Sequence, residues 1–253
     1  MKRRQMTVMD QCHKSDNTKI KKIQQTSRLL KVLKKLFIKK ERKLAWCPIY
    51  KAGSTTWMEI FATTGGVMTP EHRLRLSKGL IQMNQLARMV YPKTTDINNT
   101  VKVVPEMTRF IIVRQPFERI LSAYRDKLEH RKDRKFYYRR YGHHKMCPCE
   151  LNYQIILKME SLEEEQLFLA TKFNLLDYLF AVNSTHWLPQ NTNPNSRTEH
   201  KYAQQYYREV PKQLLQEVYM LYEADFLLFD YSSKEYFAFA KDDTKQEAAE
   251  SFG

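Results

Sequence analysis

The 253-residue chain is long enough to bury one sizeable hydrophobic core, and 42% of its residues are hydrophobic. Its formal net charge is +15, but residues 1–43 hold 15 Lys and Arg against 3 Asp and Glu, while the rest of the chain holds 28 against 25. The basic charge therefore belongs to an N-terminal segment, which argues against a basic nucleic-acid-binding domain and leaves nucleic-acid binding as an alternative that only this segment favours.

Residues 1–43 are predicted to form a basic N-terminal arm or stem. Their most apolar run, residues 29–38, is interrupted by Lys31, Lys34 and Lys35, so the segment has no run of about 18 apolar residues. The run fits a weakly ordered stem or, alternatively, a basic amphipathic helix on a membrane or an acidic partner. No cleavable signal peptide is recognisable in the sequence.

The stretch from Leu44 to Phe61 predicts a strand, a tight loop and the start of a helix. An apolar run ends at Tyr50, and a lysine and several small residues follow it. Gly53 allows the backbone to approach a ligand closely, and the N–H groups at a helix N-terminus point toward an anion. The predicted ligand-binding residues here are Lys51, Ala52, Gly53, Ser54, Thr55, Thr56 and Trp57, of which Trp57 is expected to belong to the core or to form a wall of the pocket. A Walker A loop carries its lysine at the end, after two spaced glycines, so a P-loop NTPase is disfavoured.

Further along the chain, a second strand and helix repeat this arrangement. Residues 70–91 predict a helical stretch, residues 92–100 a polar loop, and residues 108–113 a buried parallel strand. Pro116 suits the first turn of the next helix, which has one apolar face. Arg114 follows the strand and Ser122 lies on the helix, and ligands bind at the carboxyl ends of strands in open α/β sheets.

Two motifs together resemble a known family. The loop that begins with Lys51 resembles the 5′-phosphosulfate loop of sulfotransferases, and residues 110–124 resemble the 3′-phosphate-binding segment of the Golgi carbohydrate sulfotransferases. That family's pattern, Arg-x-Pro-Phe-x-Arg-hydrophobic-x-Ser-Ala, is met by Arg114, Pro116, Phe117, Arg119, Ser122 and Ala123. Among these enzymes, the segment most resembles the family that contains the chondroitin, dermatan and HNK-1 enzymes, especially its invertebrate members.

The resemblance implies an α/β fold of the sulfotransferase, P-loop-like type, with a central parallel sheet flanked by helices. It implies PAPS (3′-phosphoadenosine 5′-phosphosulfate) as co-substrate, a hydroxyl of a glycan or glycosaminoglycan as acceptor, and neither a metal nor a nucleic-acid partner. It also implies a place on the lumenal side of the Golgi membrane, with a membrane anchor that the arm does not show.

The same resemblance assigns roles to individual residues. Lys51 would neutralise the charge that builds on the leaving phosphate oxygen, and Arg114 and Ser122 would hold the 3′-phosphate. The cofactor-binding residues that it implies in this segment are Arg114, Gln115, Pro116, Phe117, Glu118, Arg119, Ile120, Leu121 and Ser122.

Activation of the acceptor hydroxyl needs a general base. His186 lies in a segment, His-Trp-x-Pro, that resembles the same family, and it is the predicted base; His72, Glu59 and Glu106 are alternatives. Residues 127–145 are basic and aromatic, which fits an anionic sugar polymer, a single-stranded nucleic acid or a solvated helix end.

Two departures from the family pattern support an alternative function. Residues 191–200 are a short polar loop where family members continue with a cysteine-containing stretch, and Tyr50 stands where the family has proline. The alternative is a catalytically inactive sulfotransferase-like protein that binds nucleotides or partners.

Cysteines and sequons add three expectations. Cys12, Cys47, Cys147 and Cys149 allow three full pairings. The group of Cys147 and Cys149 with His143 and His144 fits no common zinc pattern, so we expect no functional metal. The sequons at Asn98 and Asn183 would carry glycans only in a lumenal chain.

The predicted domain organisation has three parts. Residues 1–43 are the arm, residues 44–235 the sulfotransferase domain, and residues 236–253 a polar, frayed C-terminal tail. Residues 150–182 are expected to be helical, and a further helix is expected after Pro211.

Overall fold

The computed structural model describes residues 2–14, 29–129, 148–183 and 200–242. The chain divides into two compact units. A sheet unit contains the described residues up to Arg114 together with residues 148–183, and a helical unit contains residues 115–129 and 200–242. The predicted phosphate loop lies in the sheet unit, and the helix that follows Arg114 lies in the helical unit.

Helices dominate both units. In chain order they are α1 (Lys2–Lys14), α2 (Ser54–Thr64), α3 (Pro70–Ser77), α4 (Met83–Val90), α5 (Ile97–Val103), α6 (Pro116–Lys127), α7 (Pro148–Leu151), α8 (Leu162–Lys172), α9 (Leu176–Asn183), α10 (His200–Tyr207), α11 (Lys212–Leu228) and α12 (Lys234–Phe239). Short 3-10 turns cover Lys40–Arg42, Val104–Glu106 and Met159–Ser161, and residues 29–33 are also helical.

A four-stranded sheet organises the sheet unit. Its strands are β1 (Phe37–Lys39), β2 (Leu44–Cys47), β3 (Thr108–Val113) and β4 (Ile155–Lys158), and they lie in the order β1-β2-β3-β4. β2, β3 and β4 are parallel, whereas β1 pairs antiparallel with β2. Because β2 and β3 are adjacent and parallel, the segments that follow them emerge at the same edge of the sheet.

An aromatic cluster fills the core of the sheet unit. Trp46 stacks on Phe110 with ring centroids 6.0 Å apart, and Trp57 of α2 meets Phe110 edge-on at 4.9 Å. Phe37 and Phe61 join the same cluster, and all five side chains are buried. Each large side chain contributes roughly 1.5–3 kcal/mol by leaving water, so this cluster fixes α2 against the sheet.

The helical unit has its own core. Phe117 and Leu121 of α6 pack with Tyr207, Phe226 and other buried residues of α10, α11 and α12. The apolar face predicted for the helix after Arg114 packs through Phe117, Ile120 and Leu121, whereas Tyr124 of the same face is exposed. Pro116 begins that helix as predicted.

The predicted fold class is confirmed, and several element boundaries differ. β4 lies within residues 150–182, which were expected to be helical; its four residues, Ile-Ile-Leu-Lys, show no periodicity that separates a short strand from a helix. Residues 70–91 form two helices, α3 and α4, between which Gly79 adopts a φ of 68°. Helix α5 begins inside the predicted polar loop 92–100, capped by the Asp96 side chain, which accepts from the Asn99 N–H at 2.9 Å.

Both predicted end segments contribute to the packing. β1 belongs to residues 1–43, and its pairing with β2 makes it part of the sheet. In residues 236–253, Tyr236 and Ala240 are buried in the helical core, and the Lys241 N–H donates to the carbonyl oxygen of Val210. The packed part of the chain therefore extends past residues 44 and 235 in both directions.

Cys12 and Cys149 form a disulfide, which settles one pair that the sequence left open. Cys47 is a buried free thiol, and Cys147 lies outside the described residues. Within the described ranges, no helix combines the length and the apolar character needed to cross a lipid bilayer.

Candidate functional site

The loop between β2 and α2 is a tight turn. The chain leaves β2 at Cys47 and enters α2 at Ser54. The N–H of the buried Ala52 donates to the carbonyl oxygen of Ile49 at 3.3 Å, which closes the turn. Strand, loop and helix thus follow one another as the sequence predicts, with the lysine inside the turn.

Lys51 and Gly53 both have a φ of 68°. This left-handed conformation suits glycine, but it costs a residue with a side chain about 1 kcal/mol. Strained backbone of this kind is concentrated at ligand-binding sites, where the surrounding structure enforces it. The sequence explains the conformation of Gly53, whereas the strain at Lys51 was not predicted.

Gly53 is also closely covered by neighbouring side chains. A Cβ atom at this position would lie 2.9 Å from Cδ2 of Leu162 and 3.6 Å from Sδ of Met159. Glycine is therefore required here for space as well as for φ. Met159 and Leu162 follow β4, and their side chains cover the loop; these two side chains are called the roof below. Nothing in the sequence indicated that they lie there.

Helix α2 begins immediately after Gly53. The first N–H groups of a helix have no partner within the helix, so those of Ser54, Thr55 and Thr56 can bind an anion. The N–H of Trp57 already donates to the carbonyl oxygen of Gly53 at 3.3 Å. The Trp57 side chain is fully buried in the aromatic cluster, as expected for a core residue. Its contact with a ligand stays a prediction.

Arg114 connects the end of β3 to the loop. Its Nη1 donates a hydrogen bond to the carbonyl oxygen of Lys51 at 3.3 Å, and the residue is half-buried. The two predicted anion-binding cations therefore belong to neighbouring parallel strands and are physically linked.

The first residues of α6 have roles within the helical unit. The Gln115 side chain caps the helix by accepting from the Glu118 N–H at 3.0 Å, and its Nε2 donates to the carbonyl oxygen of Ser232 at 3.1 Å. Tyr236 donates to the carboxylate of Glu118 at 3.3 Å. A ligand contact by either residue stays a prediction.

Arg119 forms a buried ion pair with Asp225. Nη2 of Arg119 lies 2.8 Å from Oδ2 of Asp225, and both side chains are buried. Burial raises the pKa of Asp225 to about 6, although the nearby guanidinium of Arg119 acts in the opposite direction. The structure thus gives Arg119 a partner inside its own unit, and its predicted contact with the cofactor stays a prediction.

The other predicted cofactor residues of α6 are largely enclosed. Pro116, Phe117, Leu121 and Ser122 are buried, and Ile120 is half-buried against the helical core. Phe117 also accepts, through its carbonyl oxygen, a hydrogen bond from the Tyr207 hydroxyl at 2.8 Å. Residues of the family pattern, such as Phe117, therefore also pack in the core of the helical unit.

The candidate bases differ in their surroundings. His186 lies outside the described residues. Glu59 of α2 is buried, and its Oε1 lies 3.4 Å from Nη1 of Arg73, while its Oε2 has no hydrogen-bond partner among the residues that the structure describes. Burial raises the pKa of Glu59, and Arg73 opposes that rise. His72 instead makes a 3.0 Å hydrogen bond with the Thr69 hydroxyl, and Glu106 is exposed.

Over residues 2–14, 29–129, 148–183 and 200–242, no three His, Cys, Asp or Glu side chains are grouped so that they could hold a metal ion. His143, His144 and Cys147 lie outside these ranges, and Cys149 is in the disulfide.

Comparison with known proteins gives one family. The model of the family described as "Sulfotransferase family" matches residues 34–148 and 143–232. The match begins before β1 and includes the loop, Arg114 and all of α6.

Similar proteins are carbohydrate sulfotransferases at low identity. The chain is 22% identical over 260 residues to carbohydrate sulfotransferase 11 of Rattus norvegicus and 23% identical over 259 residues to carbohydrate sulfotransferase 10 of Rattus norvegicus, in each case over 81% of this chain and 69% of the relative. It is 21% identical over 254 residues to carbohydrate sulfotransferase 9 of Homo sapiens, over 82% of this chain and 55% of the relative. No solved structure matches the chain significantly.

Proposed function

Because this chain belongs to the sulfotransferase family, we propose that it transfers a sulfuryl group from PAPS to a hydroxyl group of a glycan or glycosaminoglycan. The observation that carries the proposal is the loop after β2, in which Gly53 has no space for a side chain and Lys51 is held in a strained conformation. Arg114 bonds to that same loop. The relatives named above support a sugar as the acceptor.

The loop suits the 5′ end of such a nucleotide. The N–H groups of Ser54, Thr55 and Thr56 would bind the 5′-phosphate, and the ammonium group of Lys51 would neutralise charge on the bridging oxygen. Arg114 would bind the 3′-phosphate, with the Ser122 hydroxyl as the further donor that the family resemblance implies. A second phosphate contact of this kind would distinguish PAPS from ATP.

The reaction is an in-line displacement at sulfur. The acceptor oxygen forms a bond to sulfur, the bond from sulfur to the bridging oxygen breaks, and adenosine 3′,5′-bisphosphate leaves with that oxygen. The proton of the acceptor hydroxyl passes to the general base, for which His186 is the predicted residue and Glu59, His72 and Glu106 are the alternatives. Most of the rate acceleration then comes from positioning and charge stabilisation.

We also propose that the chain works in an oxidising, lumenal compartment such as the Golgi lumen. The Cys12–Cys149 disulfide supports this, because disulfides persist in secretory compartments and are rare in the cytosol. Asn98 of the first sequon is exposed on α5, where a glycan could be accommodated. The membrane anchor stays an expectation from the resemblance.

Calorimetric titration of the full chain with adenosine 3′,5′-bisphosphate tests the nucleotide site. We expect binding that Lys51→Ala and Arg114→Ala weaken at least tenfold, since hydrogen bonds to charged groups contribute about 1.5–3 kcal/mol each. Lys78→Ala and Arg75→Ala, which remove exposed cations near the end of α3, serve as matched controls and should bind like the wild type. A folded wild-type chain that binds no nucleotide would contradict the proposal, and binding without sulfate transfer would favour the inactive alternative.

A further inference from the structure

The N-terminal helix α1 is fastened to the sheet unit at several points. Its Cys12 is disulfide-bonded to Cys149 of α7, with Cα atoms 5.5 Å apart across a sequence separation of 137. Val8 is buried, and α1 packs against β4 and α7. Nη1 of Arg4 also donates to the carbonyl oxygen of Ile156 at 2.9 Å, which covers a backbone group of the edge strand β4.

Arg4 makes a paired interaction with Glu165 of α8. Nη1 and Nη2 of Arg4 lie 2.8 and 2.6 Å from the two carboxylate oxygens of Glu165. Two parallel charge-assisted hydrogen bonds of this kind are strong and geometrically specific. Glu165 therefore links α1 to α8.

Glu165 in turn fixes the segment between β4 and α8. It accepts hydrogen bonds from the Ser161 hydroxyl at 2.6 Å and from the Lys158 N–H at 2.9 Å. Burial would raise the pKa of this carboxyl, but the hydrogen bonds from Arg4, Ser161 and Lys158 hold that pKa below its ordinary value. One ionised carboxylate thus joins α1, the end of β4 and the 3-10 turn.

The same turn carries the roof over the phosphate loop. Met159 lies in it and Leu162 follows it, and these are the side chains that a Cβ on Gly53 would meet. Hydrogen bonds therefore link α1, through Arg4 and Glu165, to the chain segment that carries Met159 and Leu162, and these two side chains lie close to Gly53 of the loop. We propose that α1 is a clasp that positions the phosphate loop, so that nucleotide affinity depends on the Cys12–Cys149 bond and on the Arg4–Glu165 pair.

The helix depends on these fastenings for its own order. Lys2, Arg3 and Arg4 lie at its N-terminus, where the helix dipole disfavours positive charge, and its first turn has no acidic residue. An isolated helix of 13 residues is marginal in water. Reduction of the disulfide by a dithiol, which adds two electrons and two protons to give two thiols and an oxidised dithiol, removes the covalent fastening.

Titration of the oxidised full chain with adenosine 3′,5′-bisphosphate tests the clasp. The choice of this ligand rests on the proposed function. We expect Cys12→Ser and Arg4→Ala each to raise the dissociation constant about five- to tenfold, a typical coupling between sites. Arg4→Lys keeps the charge but not the paired hydrogen bonds and should lie between. Lys2→Ala, which removes an exposed charge from the same helix, should stay within about twofold of the wild type.

Amide hydrogen exchange separates this proposal from the proposed function. We expect reduction, or Arg4→Ala, to speed exchange at residues 53–57 while exchange in α11 of the helical unit stays unchanged, which excludes global unfolding. This readout needs no nucleotide, so it remains decisive if the wild type binds none. Unchanged loop exchange in both variants and in the reduced wild type would overturn the clasp, whatever the nucleotide affinity.

Discussion

Arg114 and Lys51 are joined through the backbone: Nη1 of Arg114 donates a hydrogen bond to the carbonyl oxygen of Lys51 at 3.3 Å. The two cations follow neighbouring parallel strands, β3 and β2, so the sheet brings them to one edge. The residue that is proposed to bind the 3′-phosphate therefore also holds the loop that is proposed to bind the 5′-phosphate.

This link gives a test that is specific for the 3′-phosphate. Wild-type protein should bind adenosine 3′,5′-bisphosphate about 10–100-fold more tightly than adenosine 5′-phosphate, because one charge-assisted contact contributes about 1.5–3 kcal/mol. Arg114→Ala should remove that difference, and Arg114→Lys should restore little of it, because lysine lacks the planar fork of donors. Equal discrimination by wild type and Arg114→Ala, measured by calorimetry, would assign the 3′-phosphate to other residues.

The strained backbone at Lys51 gives a second test. Lys51→Gly and Lys51→Ala both remove the ammonium group, so both should lose nucleotide affinity and transfer activity. Only glycine relieves a φ of 68°, so Lys51→Gly should unfold with a free energy about 1 kcal/mol higher than Lys51→Ala. Denaturant titration of the two variants measures the difference, and equal stabilities would show that Lys51 carries no strain.

Gly53 gives a third test with a matched control. Gly53 and Gly79 share a φ of 68°, but a Cβ atom at Gly79 would meet nothing within 4 Å, whereas one at Gly53 would meet Leu162 at 2.9 Å. Gly79→Ala should cost about 1–2 kcal/mol of stability for backbone conformation alone. Gly53→Ala should cost more and should also abolish nucleotide binding. Similar losses in the two variants, with binding retained, would remove the loop from the site.

Substitution of two of the candidate bases, His186 and Glu59, tests the proton transfer. We expect His186→Gln to lower kcat by about 10²–10⁴, the range typical of general base catalysis, with little change in nucleotide affinity. Glu59→Gln keeps the size of the side chain and should retain most of kcat. The reverse pattern, with the acid limb of the pH–rate profile lost in Glu59→Gln, would move the role to the buried carboxyl of Glu59, whose pKa is raised by burial.

The buried pair of Arg119 and Asp225 makes stability depend on pH. Burial raises the pKa of Asp225 from 3.8 to about 6 on folding. The folded state therefore holds its proton more tightly than the unfolded state, so this group's contribution to stability is greatest below pH 3.8 and is lost as the pH rises through about 6.

Asp225→Asn removes that titration. The unfolding free energy of the variant, relative to wild type, should rise by about 2–3 kcal/mol between acid and neutral pH. Asp177→Asn, a change at an exposed position of α9, should show no such slope. A flat difference for Asp225→Asn in denaturant titrations across this range would mean that Arg119 fully compensates for the burial.

Local sequence features predicted the strand, loop and helix of the candidate site better than they predicted the contacts that hold these elements in place. The order of strand, loop and helix from Leu44 to Phe61 and the packed face of α6 follow from hydrophobic patterning and from the small residues of the loop. The positive φ of Lys51, by contrast, is not signalled by any residue preference, because lysine rarely adopts it. The four residues of β4 were too few for their pattern to distinguish strand from helix.

The contacts that the sequence could not show are those between distant residues. The pairing of Cys12 with Cys149, of Arg4 with Glu165 and of Arg119 with Asp225 joins positions more than a hundred residues apart. The motif resemblance assigns Arg119 to the cofactor, which stays a prediction, and the motif gave no sign of the ion pair with Asp225. The basic charge of residues 1–43 similarly suggested an arm, although β1 and α1 are packed parts of the sheet unit.

The most direct test of the proposed function is transfer of radiolabelled sulfate from PAPS to a panel of desulfated glycans by the purified full chain. The proposal predicts label in at least one glycan with wild-type protein, and loss of that label with Lys51→Ala but not with Lys78→Ala. The proposed activity would be contradicted if folded wild-type protein bound adenosine 3′,5′-bisphosphate but labelled no glycan above the level seen with Lys51→Ala. That result would identify the chain as an inactive nucleotide-binding relative.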